Sequence, residues 1–359
     1  MSCDRSHLAS NRKLVAIGTG LIALDVVPDH NPTASRHLLA GGSCGNVLTI
    51  LSYLGWHSFA VGRLGNDLAG KRILRDFGSW RVKTPLLEFS DRLGTPVYVE
   101  HLRLKKNGSP THRFQGMCPN CQSSFPQYRP LLSQSVSKVK NRIPEATAFY
   151  SDRISMSALE LSKYYKEKGA IVMFEPSGIR DETLFRQCLE TMDILKYSEH
   201  KRASFQTFTL RYPVPLEVET MGGNGLRYRL NHGGSPRRWV EMKAVKIGQV
   251  LDSSGAGDWC SAGMLHVLGR EGTKEFLMSA TSKVQEALSF GQLIAGLNCC
   301  FIGARGLMYQ VKRSELHHYL EMNASITHLT LAARNERERR FPNSNLFCRQ
   351  CSNTGPISK

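Results

Sequence analysis

DSSGAGDWCSAGML, residues 252–265, is the most chemically loaded run of the chain. Two glycines flank Ala256, an aspartate follows, and an apolar helical pattern begins. Glycine on either side of Ala256 lets the backbone bend without side-chain clash, so successive N–H groups can converge on one spot. A helix opening at Asp258 would aim its positive dipole end there too. That combination is an anion site, suited to a phosphoryl group whose charge shifts during transfer. An aspartate beside it can accept a proton from an attacking hydroxyl while the amides hold the phosphate. The plainer reading is an aspartate N-cap. It explains the acid, but not both glycines and the second acid, Asp252. The chain has no G-x-x-x-x-G-K-[ST] run, so the P-loop route to phosphate binding is excluded.

Working outward, strand and helix patterns alternate. LVAIGTGLIALDVV reads as a buried strand, then glycines, then an extended segment carrying Asp25. GGSCGNVLTILSYLGW reads as a glycine turn opening a helix, with Val47, Leu48, Ile50, Leu51 and Leu54 at helical spacing and Gly55 near its C-cap. SFAVGRLG is a strand, NDLAGKRILRDFG a helix ending at glycine, and PVYVEHLRL an alternating strand with one wet face. Residues 105–144 carry several prolines and little periodicity, which predicts an insertion or flap. ALELSKYYKEKG, AIVMFEP, ETLFRQCLETM, DILKYS, FTLRYPVPLEVETMGGNG and LRYRLN continue the alternation, and VQEALSFGQLIAGLNCCFIGARG supplies a second long, small-rich helix. Such alternation predicts an α/β fold with a parallel sheet and helices on both faces. Ligands in such sheets sit beyond the carboxyl ends of the strands. Residues 1–12 read as a flexible N-terminus and 331–359 as a polar, disordered or loosely docked tail.

With 359 residues, 41% of them hydrophobic, the chain can bury one large core. It has no apolar run of membrane-spanning length and no secretory pattern at its N-terminus. Ten cysteines without a signal point to reduced thiols in the cytoplasm. The formal charge of +17 attracts anionic substrates. The basic residues are scattered and do not interleave with aromatics, which disfavours nucleic acid as partner.

At this point D-x-x-G-A-G-D followed by a small-rich helix resembles the second signature of the ribokinase-like (PfkB) carbohydrate kinases. GGSCGNVLTILSYLGWHSFAVGRLGNDLAG resembles the first, in the expected order. The resemblance spans residues 13–313. It implies a ribokinase-like three-layer sandwich over residues 13–330, with a mainly parallel central sheet and a small β-rich lid from about 26–40 and 95–144. It implies phosphorylation of a sugar-like hydroxyl by ATP with magnesium and, in some members, a monovalent cation. Asp258 would be the base, and Gly255, Ala256 and Gly257 the anion hole. Asp25, Gly41, Gly42 and Asn46 would hold the acceptor. Asp252 would shape the loop and its cation environment. Thr220, Gly222 and Gly225 would lie along ATP, as would Ser198, with Gly303 and Ala304 near the adenine. Pairing of two subunits through the lid is a further expectation from the resemblance.

The chain also departs from the family pattern. Where Asn-x-x-Glu helps organise magnesium, KYSEHK puts Ser198 and Lys201, and a lysine cannot replace a carboxylate beside a cation, so either Glu199 substitutes, or magnesium handling differs, or activity is impaired. FEPSG stands where Asp-Pro-Asn is common, and Trp259 follows the base. Outside the resemblance are CPNC (Cys118, Cys121) and CRQC (Cys348, Cys351). Each is half of a zinc knuckle. Either Cys118 and Cys121 bind zinc on the flap, or both pairs share one ion, or the pairs are plain cysteines. Three functions follow: a sugar kinase; a nucleoside kinase or catalytically weak regulator on the same fold; or a basic zinc-containing nucleic-acid binder. The intact G-A-G-D chemistry favours the first.

Overall fold

The computed structural model describes residues 13–27, 37–104, 110–232, 235–236, 238–321, 348 and 351. Residues 1–12 and most of 331–359 lie outside these, so the expectations for both termini fall there.

Strands β1 (Val15–Thr19), β2 (Ala23–Val27) and β3 (His37–Gly41) come first, then helix α1 (Ser43–Tyr53), β4 (His57–Gly65), α2 (Leu68–Ser79) and β5 (Lys83–Ser90). Strands β6 (Val97–Leu104) and β7 (Pro110–Gln115) precede α3 (Val136–Arg142), β8 (Ala148–Ser151), α4 (Met156–Glu167) and β9 (Ile171–Phe174). Helix α5 (Glu182–Leu189), β10 (Ile194–Ser198), α6 (Arg202–Arg211), β11 (Leu216–Thr220) and β12 (Leu226–His232) follow, with two short strands, β13 (Ser235–Pro236) and β14 (Val240–Met242). Helices α7 (Ala256–Leu268), α8 (Thr273–Met278), α9 (Thr281–Cys299), α10 (Gly306–Gln310) and α11 (Arg313–Glu321) complete the described chain.

The large sheet runs β13-β12-β11-β10-β9-β8-β1-β4-β5, with β14 on β12. Every pairing from β11 to β5 is parallel, and only the β12 edge is antiparallel. Its central strands β1, β8 and β9 are almost wholly apolar because both faces are covered. Ala16, Ala60, Tyr150, Met173 and Ile194 pack on one side with α1, α7 and α9. Their neighbours Ile17, Val61, Phe149, Val172 and Leu195 pack on the other with α4 and α5. Side chains alternate between faces at a period of two, so adjacent residues falling into opposite clusters is the signature of a three-layer sandwich. This is the α/β architecture the alternation predicts.

A separate four-stranded sheet runs β3-β2-β6-β7. It is mixed: β2 pairs β6 in parallel, while the two outer pairings are antiparallel. Residues 28–36 and 105–109 of the expected lid lie outside the described residues. The expected lid boundary is also too generous. Val136 and Val139 of α3 pack in the cluster that holds α4, so the end of the 105–144 segment belongs to the body. The wet face expected of β6 is not found where the alternation put it: opposite the buried Val97 and Val99, Tyr98 is half-buried and Glu100 is buried.

Helix α2 runs through Gly78 to Ser79, past the glycine expected to stop it. Arg81, at φ 60°, makes the left-handed exit instead. Its N-terminus is capped by Asp67, whose carboxylate accepts from the Gly70 amide at 2.8 Å. The small residues of α7 have a packing cause. A Cβ on Gly263 would fall 2.6 Å from the Gly291 Cα, so α7 and α9 touch backbone to backbone.

Candidate active site

The parallel strands point their carboxyl ends to one edge. There stand Gly20 after β1, Asp152 after β8, Glu175 after β9, Ser198 ending β10 and Thr220 ending β11. Strand order reverses at β1, which lies between β8 and β4, so the crevice opens beside Gly20 and Asp152. The fit there is close: Asp152 accepts from the Leu21 amide at 2.8 Å, and a Cβ on Gly20 would fall 1.8 Å from its Oδ1.

The 252–258 loop enters this crevice from above. Gly255, at φ 69°, is the N-cap of α7 and lies so close to the Ala304 carbonyl that a Cβ would meet it at 2.1 Å. The helix begins at Ala256, two residues before Asp258, which places Asp258 in its first turn. The Ala256 amide donates to the Ser253 carbonyl at 3.3 Å and so is partly taken up by the loop. Helix geometry provides no partner within α7 for the amides of Gly257 and Asp258. Asp252 braces the loop from within. Its carboxylate accepts from the Ser254 amide at 2.9 Å, from the Ser254 hydroxyl, and from the Gly303 amide at 2.8 Å. Gly303 and Ala304 therefore stand as the floor of the loop. Trp259 is fully buried and donates its indole N–H to the Ala304 carbonyl at 3.0 Å. It packs and ties the loop.

Asp258 Oδ2 accepts from Asn46 Nδ2 at 2.8 Å, joining two residues 212 positions apart. Burial, reinforced by the Glu175 carboxylate, pushes the Asp258 pKa up to about 8. Gly41 and Asp25 are in contact: a Cβ on Gly41 would fall 1.8 Å from Asp25 Oδ2. Gly42, at φ 75°, caps α1. Burial raises the Asp25 pKa to about 7, against the pull of Arg305. These expected residues therefore meet in one crevice. Ser198 and Thr220 form a second group. They are register partners on β10 and β11, next to the hairpin loop that carries Gly222 and Gly225. That loop is the hairpin turn between β11 and β12. Gly225, at φ 101°, is needed for the turn, because a Cβ would lie 2.1 Å from the Met242 carbonyl.

Several residues entered without a sequence signal. Lys196, fully buried on β10, is ion-paired with Glu175. Glu175 also accepts from the Ser261 hydroxyl at 2.6 Å and from Tyr150 at 3.2 Å. A Cβ on Gly257 would lie 3.6 Å from Lys196 Nζ, so this ammonium stands beside the proposed anion hole. Burial is the largest single influence and works against its charge, but Glu175, Cys260 and Asp258 together leave its pKa raised. Lys201 donates to the Pro176 carbonyl at 3.2 Å. Below the acceptor glycines, Asp76 and Arg305 form a buried ion pair at 2.7 Å and together hold both polar groups of Ala40. The second sheet reaches the loop through His112, whose Nδ1 lies 3.3 Å from the Ser253 hydroxyl and 3.7 Å from Asp252. Buried Glu100 joins that cluster. Away from the crevice, Cys118, Cys121, Cys348 and Cys351 bring their sulfurs within 4.8 Å of one another.

An open parallel sheet, a glycine loop opening a helix and a buried aspartate in that helix's first turn fit a phosphotransferase of the three-layer α/β class. The pfkB family carbohydrate kinase model matches residues 11–202, and the chain belongs to that family. The 252–258 loop lies beyond the matched span, so its part in the site rests on geometry. The ribokinase of Bacillus subtilis (strain 168) is 25% identical over 315 residues, 83% of this chain and 96% of that protein. Among solved structures, aminoimidazole riboside kinase from Salmonella enterica, complexed with aminoimidazole riboside and an ATP analog, aligns with a TM-score of 0.63. It is 18% identical, covering 85% of this chain and 99% of its own. Ribokinase from Giardia lamblia aligns at 0.64 with 17% identity, over 87% of this chain and 99% of its own. Fructokinase from Xylella fastidiosa with bound ATP aligns at 0.62 with 18% identity, over the same shares. No helix among the described residues is long and apolar enough to cross a membrane.

Proposed function

We propose that this carbohydrate kinase transfers the γ-phosphoryl group of ATP to a hydroxyl of a sugar or sugar-like molecule, with Asp258 as the general base. The observation that carries this reading is the Asn46–Asp258 hydrogen bond, which sets the carboxylate between the acceptor crevice and the glycine loop. Asp25, Asn46 and the backbone at Gly41 and Gly42 would hold the acceptor's hydroxyls. As the O–P bond forms, the hydroxyl proton passes to Asp258 and ADP leaves with the electrons of the broken O–P bond. The amides of Gly257 and Asp258 face the transferred group, and Lys196 adds fixed positive charge beside them. Ser198, Thr220 and the 222–225 loop would border the nucleotide. Relatives that bind a riboside or are named for fructose support a polyhydroxylated acceptor and leave a ribonucleoside within the same reading.

The chain does not fit the family's way of ordering magnesium. An ammonium, Lys201, occupies the carboxylate position and is engaged by the Pro176 carbonyl. Magnesium would therefore arrive on ATP's own phosphates, and no step here is routed through it.

The test is ADP release across sugars and ribosides, with and without magnesium. One acceptor should stimulate release well above the ATPase background, and Asp258→Asn should lower that rate by about 10²–10⁴-fold while ATP affinity holds. Acceptor-independent ATP turnover at the same rate in both proteins would remove Asp258 from the chemistry. Tight sugar binding with no turnover would favour a regulator instead.

A further inference from the structure

We propose that Cys118, Cys121, Cys348 and Cys351 bind one structural zinc ion that clamps the C-terminal tail to the loop following the small sheet. The first pair sits in a tight turn. Met117 bridges Ser124, the Cys118 amide donates to the Ser123 carbonyl at 2.8 Å, and the Gln122 amide returns to the Cys118 carbonyl at 3.0 Å. Gln122 takes a left-handed conformation, φ 59°, to close it. This turn directs both sulfurs of a C-x-x-C to one side. The second pair arrives from a remote part of the chain. Cys121 Sγ lies 3.4 Å from Cys348 Sγ, across 227 residues of sequence, and Cys118 Sγ lies 3.8 Å from Cys351 Sγ.

These spacings carry the argument. Four sulfurs at about 2.3 Å from a central zinc stand about 3.8 Å apart at tetrahedral geometry. A disulfide needs about 2.05 Å between sulfurs. None of the four cysteines is in a disulfide, and each sulfur of one pair faces a sulfur of the other. Cys118 and Cys348 are buried in the same apolar cluster as Phe125, which shields the site on one side. Four protein sulfurs leave no open position for substrate, as in a structural zinc site. A clamp closing so long a loop would restrict the unfolded chain strongly. It also gives a physical reason for a polar tail to carry two cysteines.

The full chain, purified without a metal-binding tag, should carry about one zinc per chain by plasma mass spectrometry. Cys348→Ser/Cys351→Ser should drop this by tenfold or more while the kinase core stays folded by circular dichroism. Cys300→Ser, outside the cluster, should keep the metal. Chelation under native conditions should expose four more titratable thiols. Cobalt substituted for zinc should show thiolate-to-metal charge transfer with tetrahedral d–d bands. The proposal is overturned by a chain with less than a tenth of an equivalent of zinc, by zinc retained in the double variant, by stoichiometric iron, or by an intact mass showing two disulfides.

Discussion

Among single residues, the least expected finding is Lys196. A fully buried ammonium is costly unless paired and hydrogen-bonded, and here Glu175 is its partner. Removing one member of a buried pair leaves the other charge uncompensated, whereas replacing both is far better tolerated. Lys196→Met should therefore destabilise the fold by about 3–5 kcal/mol. Adding Glu175→Gln should recover most of that loss in urea unfolding, and additive losses would show that the two side chains do not act as a pair. The residue scale is also where sequence reading was least complete. Asp252, Gly255, Gly257 and Asp258 were legible because their chemistry is local: a run of glycines and acids within seven positions. Lys196 with Glu175 pairs across 21 positions, and Arg305 with Asp76 across 229, and nothing local marks either. Trp259 was legible as a departure, but its role was not. Only the fold brings its indole to the Ala304 carbonyl.

Secondary-structure elements were easier to read, because periodicity is a local property. The parallel strands and most helices fell where the apolar patterns put them, but α6 did not: its end and β11 read as one segment, FTLRYPVPLEVETMGGNG, because its apolar positions do not form a clean stripe. Misplaced boundaries trace to backbone detail. Gly78 has open space where a Cβ would go and no positive φ, so nothing obliges the helix to stop there. The small-rich character of α7 was visible, and the structure supplies its reason in the Gly263–Gly291 contact. That contact fixes how α7, and with it Asp258, is seated on α9. Gly263→Ala would force a methyl against the facing backbone and should cost about 1–3 kcal/mol of stability. The shift should appear as a lower urea midpoint with an unchanged m-value. A variant as stable as the parent would mean that the two helices separate at no cost. The cysteine pairs show the limit of local reading: each C-x-x-C was evident, but their meeting depends on the whole chain's path.

For the molecule as a whole, the fold gathers buried carboxyl groups and raises the pH at which each ionises. Burial pushes Asp152 to about 6, Asp25 to about 7, and Glu100 and Asp258 to about 8. Unfolded, such groups titrate near 4. Between those values the folded chain binds more protons than the unfolded one, so stability falls as pH rises. The stabilising contribution is complete below about pH 4 and is lost progressively up to the folded pKa of each group. For Asp258 alone the slope is up to about 1.4 kcal/mol per pH unit in the interval between its two pKa values. The ligand-free protein should therefore unfold more easily at pH 8 than at pH 6, and Asp258→Asn should flatten that decline. An equal slope in both proteins would place the Asp258 pKa near its ordinary value.

The base assignment to Asp258 is tested most directly by the pH dependence of kcat/KM for acceptor-driven ADP release. A base held near pKa 8 in the free enzyme predicts a rate that climbs tenfold per unit below about pH 7 and levels off above about pH 8. The residual rate of Asp258→Asn should not follow that rise. A profile flat from pH 6 to 9, or one whose rise survives intact in the variant, would contradict proton transfer to Asp258.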